Sequence, residues 1–385
     1  MPSPLRLLTV IGARPQIIKA AAMSRAIANA GRDRIVETLL HTGQHYDANM
    51  SQVFFDELGI PAADINLNVG SASHGAQTAR MIEGIEQVLQ RKEHDVVLLY
   101  GDTNSTLAGA VAAAKLHVPV AHVEAGLRSF NKRMPEEINR IVCDHCSTWL
   151  FCPTDTAMHN LAREGFTLNS TAPASLDRPM VVQCGDVMYD NSLHFADVAR
   201  ERSTLLGTLG LGQDSFVLVT LHRDHNTDDA DRLNAIMRAL LDLHVRHALP
   251  FVWPVHPRTR KMMDTLLRAE LRSELERSTT FHLVPPAGFL DMVALESAAR
   301  LVITDSGGVQ KEAYFFGRPC VILRPETEWV ELVERQQAVL ADADPERITT
   351  AADRYLANGA PSCPPLFGDG HAAERITEIL VDGAR

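Results

Sequence analysis

No apolar run in this sequence approaches the roughly 20 residues that a membrane-spanning helix needs. Met1–Arg6 passes straight into a strand-like segment without a charged-then-apolar leader, so a cytoplasmic location is the expectation. Positive charge is in deficit: 37 Lys and Arg stand against 48 Asp and Glu, a formal net charge of −11. That balance argues against nonspecific binding to nucleic acid or an anionic membrane, so an anionic ligand must find a local basic pocket. Motifs for bound cofactors are missing too. No Gly-x-Gly-x-x-Gly follows the first strand-like run, and there is no Walker loop, so neither a dinucleotide cofactor nor a P-loop nucleotide is indicated. No His-Glu-x-x-His or paired Cys-x-x-Cys supports a catalytic metal. Six cysteines, at 143, 146, 152, 184, 320 and 363, mostly lie in apolar or strand-like surroundings and read as reduced core residues. Cys143-Asp144-His145-Cys146 has the spacing of half a zinc or redox site, but no second pair follows and the segment reads as helix.

What is present is a long alternation of short apolar runs with helical segments. At 385 residues the chain exceeds one hydrophobic core and suits two domains. Expected strands are Leu5–Ile11, Ile35–His41, Val96–Tyr100, Val118–His122, Val181–Cys184, Phe216–Thr220, Phe251–Val255, Phe281–Val284, Leu301–Thr304 and Pro319–Leu323. Nearly continuous Val/Ile/Leu runs suit parallel strands buried on both faces. Between them, Pro15–Ala30, Gln77–Arg91, Asp228–His247, Ala287–Ala298 and His371–Val381 carry helical patterns, with Pro15 at a first-turn position where a missing N–H costs nothing. The alternation predicts doubly wound α/β architecture in two similar halves. Such halves would leave a cleft faced by strand C-terminal ends, where ligands bind in these sheets. Thr167–Pro179, rich in Ser, Thr, Pro and Ala, reads as a surface loop.

Polar motifs gather just after the expected strands. Gly12-Ala13-Arg14-Pro15-Gln16 leads into a helix bearing Lys19, an arrangement that favours anions; the plainer alternative is a strand–helix turn with surface charge. Asp102, in Gly101-Asp102-Thr103-Asn104-Ser105, is either a helix cap or a catalytic group. Glu124 follows the apolar run Val118–Val123, and Arg128 and Arg133 lie just beyond it. Glu136 and Arg140 share a helix face, as a site pair or as an exposed ion pair. Three carboxylates converging in a cleft would shift each other's protonation, so that one serves as acid while another stays basic. His222-Arg223 suits a pyrophosphate or a proton transfer near one, and His256 in Pro254-Val255-His256-Pro257-Arg258 is a weaker signal of the same kind. Ser306-Gly307-Gly308 opens a helix where backbone N–H groups can approach phosphate, and Glu312 on that helix can bind two ribose hydroxyls.

These blocks (GARPQIIK, TGQHYD, GDTNSTLAGA, HVEAGLRSF, MPEEINR, TLHR, PVHPR, TDSGGVQKEA and TEWVE) in this order resemble the non-hydrolysing UDP-N-acetylglucosamine 2-epimerases from about residue 5 to 380. The resemblance implies a GT-B fold: two Rossmann-like domains facing a cleft. The first is expected over 1–187, a UDP-binding second over 188–368, and the C-terminal segment 369–385 returns to the first as a helix. It implies a UDP-sugar substrate, no cofactor, no metal and a homodimer. Arg14, Lys19, Asp102, Glu124, Glu136 and His222 resemble the family's catalytic set, and Arg140 would line the site. Arg128, Arg133 and His256 are carried as substrate-binding candidates. Ser306, Gly307 and Gly308 resemble its diphosphate turn, Glu312 its ribose carboxylate, and Phe289 the group that frames uracil. The implied reaction eliminates UDP across C1–C2, giving 2-acetamidoglucal, and adds it back with a proton on the opposite face of C2. It needs cations for leaving UDP, carboxylates near C2 and a closed cleft.

Some positions depart from the family pattern. Gln16 replaces a common Glu, His225 replaces another, and Arg335-Gln336 stands where a Gly is usual. Residues 44–50 differ from the form tied to an allosteric UDP-GlcNAc site. The rival readings are an epimerase of UDP-2,3-diacetamido-glucuronate, whose extra carboxylate would want Lys132 or Arg133, a hydrolysing epimerase releasing N-acetylmannosamine and UDP, a GT-B glycosyltransferase, and a binding-only module.

Overall fold

The computed structural model describes residues 3–44, 62–168 and 173–383. His45, Tyr46 and Asp47 of the TGQHYD block, the rest of segment 48–50, and residues 169–172 of the expected surface loop lie outside them. The chain divides into two compact units: Met1–Asn191 together with Pro365–Arg385, and Ser192–Pro364.

The first unit is built on a parallel sheet of β1 (Leu5–Ile11), β2 (Ile35–His41), β3 (Ile65–Asn66), β4 (Val96–Tyr100), β5 (Val120–Val123), β6 (Trp149–Cys152) and β7 (Met180–Gln183). Its order is β3-β2-β1-β4-β5-β6-β7, so the chain reverses direction across the sheet between β1 and β4. Every residue of β4 and β5 is buried, the signature of a parallel sheet covered on both faces. One face is closed by Met81 and Ile85 of the helix His74–Leu89 and by Ala108 and Ala112 of the helix Asn104–Lys115, packed on Leu8, Val10, Val97 and Leu99. The small residues let the second helix lie close: a Cβ on Gly109 would fall 2.5 Å from Leu99 Cδ2.

The last helix, Ala372–Gly383, packs against the helix Arg14–Ala30 of the same unit. Asp190 caps its start, accepting from Ala372 N at 3.2 Å and Ala373 N at 2.8 Å. At Gly185 and Gly368 two chain segments touch backbone to backbone. Both have positive φ, and a Cβ on Gly368 would sit 2.9 Å from Gly185 Cα.

The second unit repeats the plan with β8 (Val217–Thr220), β9 (Phe251–Pro254), β10 (Phe281–Val284), β11 (Leu301–Thr304), β12 (Cys320–Ile322) and β13 (Ala338–Leu340), in the order β10-β9-β8-β11-β12-β13. Its core joins Val217, Val219, Trp253, Ile303 and Val321 to Ile236, Leu240 and Leu243 of the helix Ala230–His247. Each sheet thus has the doubly wound order with one switch point, at β1/β4 and at β8/β11.

The expected α/β class holds. Sequence reading missed β6, β13 and the two-residue β3. Trp149-Leu150-Phe151-Cys152 is a four-residue run placed three residues after a helix ends, and Ala338-Val339-Leu340 is shorter still, so neither shows a period. All six cysteines are free thiols, four of them buried, and Cys143–His145 are the closing residues of the helix Pro135–His145. Gln336, where the family favours Gly, has φ 55°; it follows the helix Val330–Glu334 in the left-handed position that Gly takes most cheaply.

Candidate active site

In the first unit the switch point brings together Lys19, Asp102, Glu124 and Arg140 of the expected groups. Gly12 and Ala13 follow β1, and their N–H groups donate to Gln16 Oε1 at 2.9 and 3.1 Å. The Gln16 amide nitrogen in turn donates to Tyr100 O and Thr106 Oγ1, each at 3.0 Å. A carboxylate at this position would lack those two donor bonds, so Gln suits the turn that joins β1 to β4. Arg14 opens the helix at an exposed position. Lys19, one turn further in, is buried and pairs with the Glu124 carboxylate. Its ammonium also lies over Gly101, 3.2 Å from where a Cβ would be.

Asp102 follows β4 and pairs with Arg140. Arg140 also donates to Glu137 Oε2 at 3.0 Å. Asn139 Nδ2 donates to the Asp102 carbonyl at 2.9 Å, so two residues of the helix Pro135–His145 hold the Asp102 turn. Glu136, expected to share a face with Arg140, is exposed, and it is the buried Glu137 that pairs with Arg140. Glu136 still lies near enough to repel Asp102. Burial raises the Asp102 carboxyl above its ordinary range; Glu124 and Glu136 push it further, against the pull of Arg140 and Lys19. Burial also opposes the charge on Lys19, but Glu124 outweighs it and the ammonium is held above its ordinary value. The result is a desolvated cluster of two carboxylates and two cations, one acid of which binds protons more readily than usual.

Glu124 has φ 75°, the left-handed region that a residue with a Cβ occupies only under constraint. Its N–H and that of Ala125 both donate to Phe151 O on β6 at 3.1 Å. Gly126 completes the turn with φ 78°, and a Cβ there would collide with Ala157 O at 2.4 Å.

Arg128 and Arg133, carried as substrate cations, are placed differently. The Arg128 guanidinium is buried and engaged by Asp144 at 2.7 Å and by both oxygens of Glu164 at 2.7 Å. It is a structural cation here. Arg133 and Lys132 are exposed on the turn before the helix Pro135–His145.

In the second unit, His222 and Arg223 follow β8. Their backbone N–H groups donate to the buried carboxylate of Asp305, at 3.1 and 2.9 Å. Asn226 Nδ2 bonds the same carboxylate at 3.2 Å and Leu323 O at 2.8 Å. Asp305 thereby ties the end of β8 to the end of β11, and His222 projects from that tie with its side chain half exposed. Ser306 stands at the N-cap position of the helix Gly307–Phe315 without a side-chain capping bond, and Gly307 and Gly308 are the helix's first residues. A Cβ on Gly308 would stand 3.8 Å from Glu312 Oε2, so Glu312 curls back toward the helix start. Phe289, first residue of the helix Phe289–Ala298, packs edge-on against Phe195 with centroids 5.0 Å apart. His256 accepts from Arg258 N at 3.3 Å as a helix cap, and Arg258 is engaged by Asp224 and Asp228. His225 is exposed on the turn Asp224–Thr227.

Two groups near the glycine turn carried no expected role. Arg324 donates to Glu328 through two nitrogens, at 3.0 and 2.9 Å. Both stand beside Gly307, whose Cβ would lie 3.5 Å from Glu328 Oε2 and 3.7 Å from Arg324 Nη1. Trp329 Nε1 donates to Gly307 O at 2.9 Å, and its ring lies 4.3 Å from the buried Lys311 ammonium. A cavity of about 750 Å³ opens in this unit, lined by Arg223, His225, Arg232 and Arg324 and equally by the acids Asp224, Asp228, Asp229 and Glu326. The TEWVE block was the available signal for this group, but spacing alone does not show that it folds onto the glycine turn. Among the described residues no cluster of three or more His, Cys, Asp or Glu is placed to hold a metal.

Two doubly wound units, one carrying paired carboxylates and cations at its switch point and the other a glycine-opened helix with adjacent arginines, define a Rossmann-like enzyme of GT-B type suited to a nucleotide-linked substrate. A profile of the UDP-N-acetylglucosamine 2-epimerase family matches residues 28–381, and the chain belongs to that family of isomerases. It is 48% identical, over 98% of its length and 99% of the relative's, to a UDP-2,3-diacetamido-2,3-dideoxy-D-glucuronate 2-epimerase of Pseudomonas aeruginosa. It is 38% identical, over 98% and 100%, to a UDP-N-acetylglucosamine 2-epimerase of Methanocaldococcus jannaschii. A crystal structure of the M. jannaschii UDP-GlcNAc 2-epimerase with UDP-GlcNAc and UDP superposes with TM-score 0.78 at 37% identity, covering 98% and 100% of the chains. Among the described residues no helix is long and apolar enough to cross a membrane.

Proposed function

We propose that this chain inverts C2 of a UDP-linked 2-acetamido sugar by eliminating UDP and adding it back. The C2 proton is not acidic, because no carbonyl is attached to C2. A group beside C2 therefore takes that proton as the C1–O bond to UDP breaks, leaving a C1=C2 double bond. UDP oxygen then rebonds to C1 while a proton is delivered to the other face of C2. Asp102, Glu124 and Glu136 share these transfers, Lys19 and Arg140 offset the carboxylate charge, and His222 with the Ser306-Gly307-Gly308 turn serves the diphosphate. Glu312 holds the ribose and Phe289 frames the base. The observation that carries this reading is the pairing of Lys19 with Glu124 and of Arg140 with Asp102 at one switch point.

UDP-N-acetylglucosamine is the parent substrate of the family. A second reading keeps the reaction and changes the sugar to UDP-2,3-diacetamido-glucuronate, and it is favoured by the 48% identity to the P. aeruginosa enzyme of that name. Exposed Lys132 and Arg133, with no acidic partner among the described residues, are available for the additional sugar carboxylate. We take this second sugar as the preferred substrate.

The reading also includes a homodimer in the cytoplasm, a first domain over 1–187, a second over 188–368 and a returning helix in 369–385. The grouping of Pro365–Arg385 with the first unit supports that return.

Proton NMR of the protein with each UDP-sugar in D2O tests the reading. The expected product is the C2 epimer carrying deuterium at C2, formed faster from the diacetamido-glucuronate. Free amino sugar plus UDP would instead indicate hydrolysis. Both sugars recovered unchanged from folded protein would overturn the proposal.

A further inference from the structure

His122 is wholly buried on β5, two residues before Glu124. Its Nδ1 lies 2.7 Å from Asp144 Oδ1 and its Nε2 lies 2.8 Å from the Gly101 carbonyl oxygen. An ionised carboxylate and a peptide carbonyl only accept hydrogen bonds, so each contact needs an N–H on the ring. A neutral imidazole has one; the imidazolium has two. Satisfying both contacts therefore requires the charged ring.

The charge is balanced locally. Asp144, also wholly buried, takes the Arg128 guanidinium at 2.7 Å, and Arg128 takes Glu164. Two cations thus face two anions. Asp144 Oδ2 further accepts from Gly126 N at 3.2 Å. The cluster grips two backbone points: Gly101, immediately before Asp102, and Gly126, two residues after Glu124.

We infer that His122 is a positioning residue, which as a buried imidazolium ties the Gly101 carbonyl to Asp144 and so fixes the turns that carry Asp102 and Glu124. The inference rests on the proposed role of those two carboxylates. Its need is visible at Glu124, whose left-handed backbone persists only when its surroundings over-determine it. Displacing a reacting group by about 1 Å costs on the order of 100-fold in rate.

The surrounding groups agree. Burial works against the charge on His122, but Asp144, on the helix Pro135–His145, holds the ring well above the ordinary imidazole range, and the buried Cys143 thiol of the same helix faces it. Arg128 approaches Asp144 from the loop after β5, and Cys152 on β6, raised by burial and by Asp144, stays a neutral thiol.

The test begins with the unaltered protein. With 15N-labelled histidine, NMR is expected to show one ring with two N–H groups and imidazolium nitrogen shifts, unchanged from about pH 6 to 9, where free imidazole titrates. A neutral tautomer for His122 at pH 7 would overturn the inference. His122→Gln keeps one amide donor and loses the charge. Its kcat is expected to fall about 100-fold with KM within about threefold, while UDP affinity, a property of the second unit in this reading, stays unchanged. Asp144→Asn keeps the shape and removes the counter-charge, so His122 titrates and kcat falls as pH rises through neutrality. Folded His122→Gln at full kcat, or Asp144→Asn with the parent pH profile, would also sink the inference. If the unaltered enzyme turns over neither sugar, the functional reading fails, and the NMR still decides the charge of His122.

Discussion

Lys19 and Glu124 form the most consequential ion pair of the first unit, and Lys19→Met isolates its contribution. The two side chains are only 11% and 13% exposed, so the pair belongs to the desolvated class and not to surface bridges worth about 0–1 kcal/mol. Methionine keeps much of the lysine stem but removes the ammonium that faces Glu124. Removing one partner of a buried pair costs about 3–5 kcal/mol. Against a domain stability of about 5–15 kcal/mol, that loss is measurable yet leaves a folded unit. Native-state hydrogen exchange of peptides spanning β4 and β5 reads it for the first unit alone.

The pH dependence gives the sign. In Lys19→Met the Glu124 carboxyl binds its proton more tightly when folded than when unfolded. The penalty is therefore small near the unfolded value of about 4.3 and grows as pH rises. In the parent protein Lys19 is held above its ordinary value, so its contribution is present below about pH 10.4 and is lost only as pH climbs through the folded value. Adding Glu124→Gln to Lys19→Met should recover most of the loss. A cost under about 1 kcal/mol at pH 8, or a double variant less stable than the single one, would refute the account of a desolvated pair.

Asp102→Asn should lower kcat by about 10²- to 10⁴-fold, as expected for loss of an acid–base group. Because Asp102 is raised by burial and by Glu124 and Glu136, its basic form disappears as pH falls through that raised value. The acid limb of kcat/KM should thus lie above the ordinary carboxylate range and be absent from the variant. Arg324→Ala should weaken UDP binding by about 10- to 100-fold in calorimetry, the loss of one charged hydrogen-bonding group. Glu328→Gln should tighten it, because Glu328 holds Arg324 beside Gly307 as a competing anion. Gly307→Ala meets only ordinary contacts, so its melting temperature should hold while UDP affinity falls. Gly126→Ala meets Ala157 O at 2.4 Å with positive φ and should lower the melting temperature sharply.

The longest apolar runs, such as Leu5–Ile11 and Val96–Tyr100, were legible as strands in the sequence, whereas the four-residue run Trp149–Cys152, three residues after a helix, was not. The site was legible for a related reason. In a doubly wound sheet, polar residues directly after a buried strand stand at its C-terminal edge, so Asp102, Glu124, His222 and Ser306 announced themselves by position. Long-range pairings left no such mark. Arg128 lies in the same block, four residues beyond Glu124, yet its guanidinium turns inward to Asp144 and Glu164, 16 and 36 residues away. Nothing local separates a cation aimed at ligand from one that neutralises a buried acid.

The same limit hid Asp144. In sequence it sits inside Cys143-Asp144-His145-Cys146, where the spacing of the thiols draws the eye to metal chemistry. In the structure it is the carboxylate between His122 and Arg128. A buried charge costs several kcal/mol to desolvate, so each one needs its partners supplied from other elements. The carboxylates Asp102 and Glu124 could be read singly because each stands just past a buried strand. The groups that keep them charged and in place are defined only by one another, and so they emerge only when β4, β5 and the helix Pro135–His145 have been brought together.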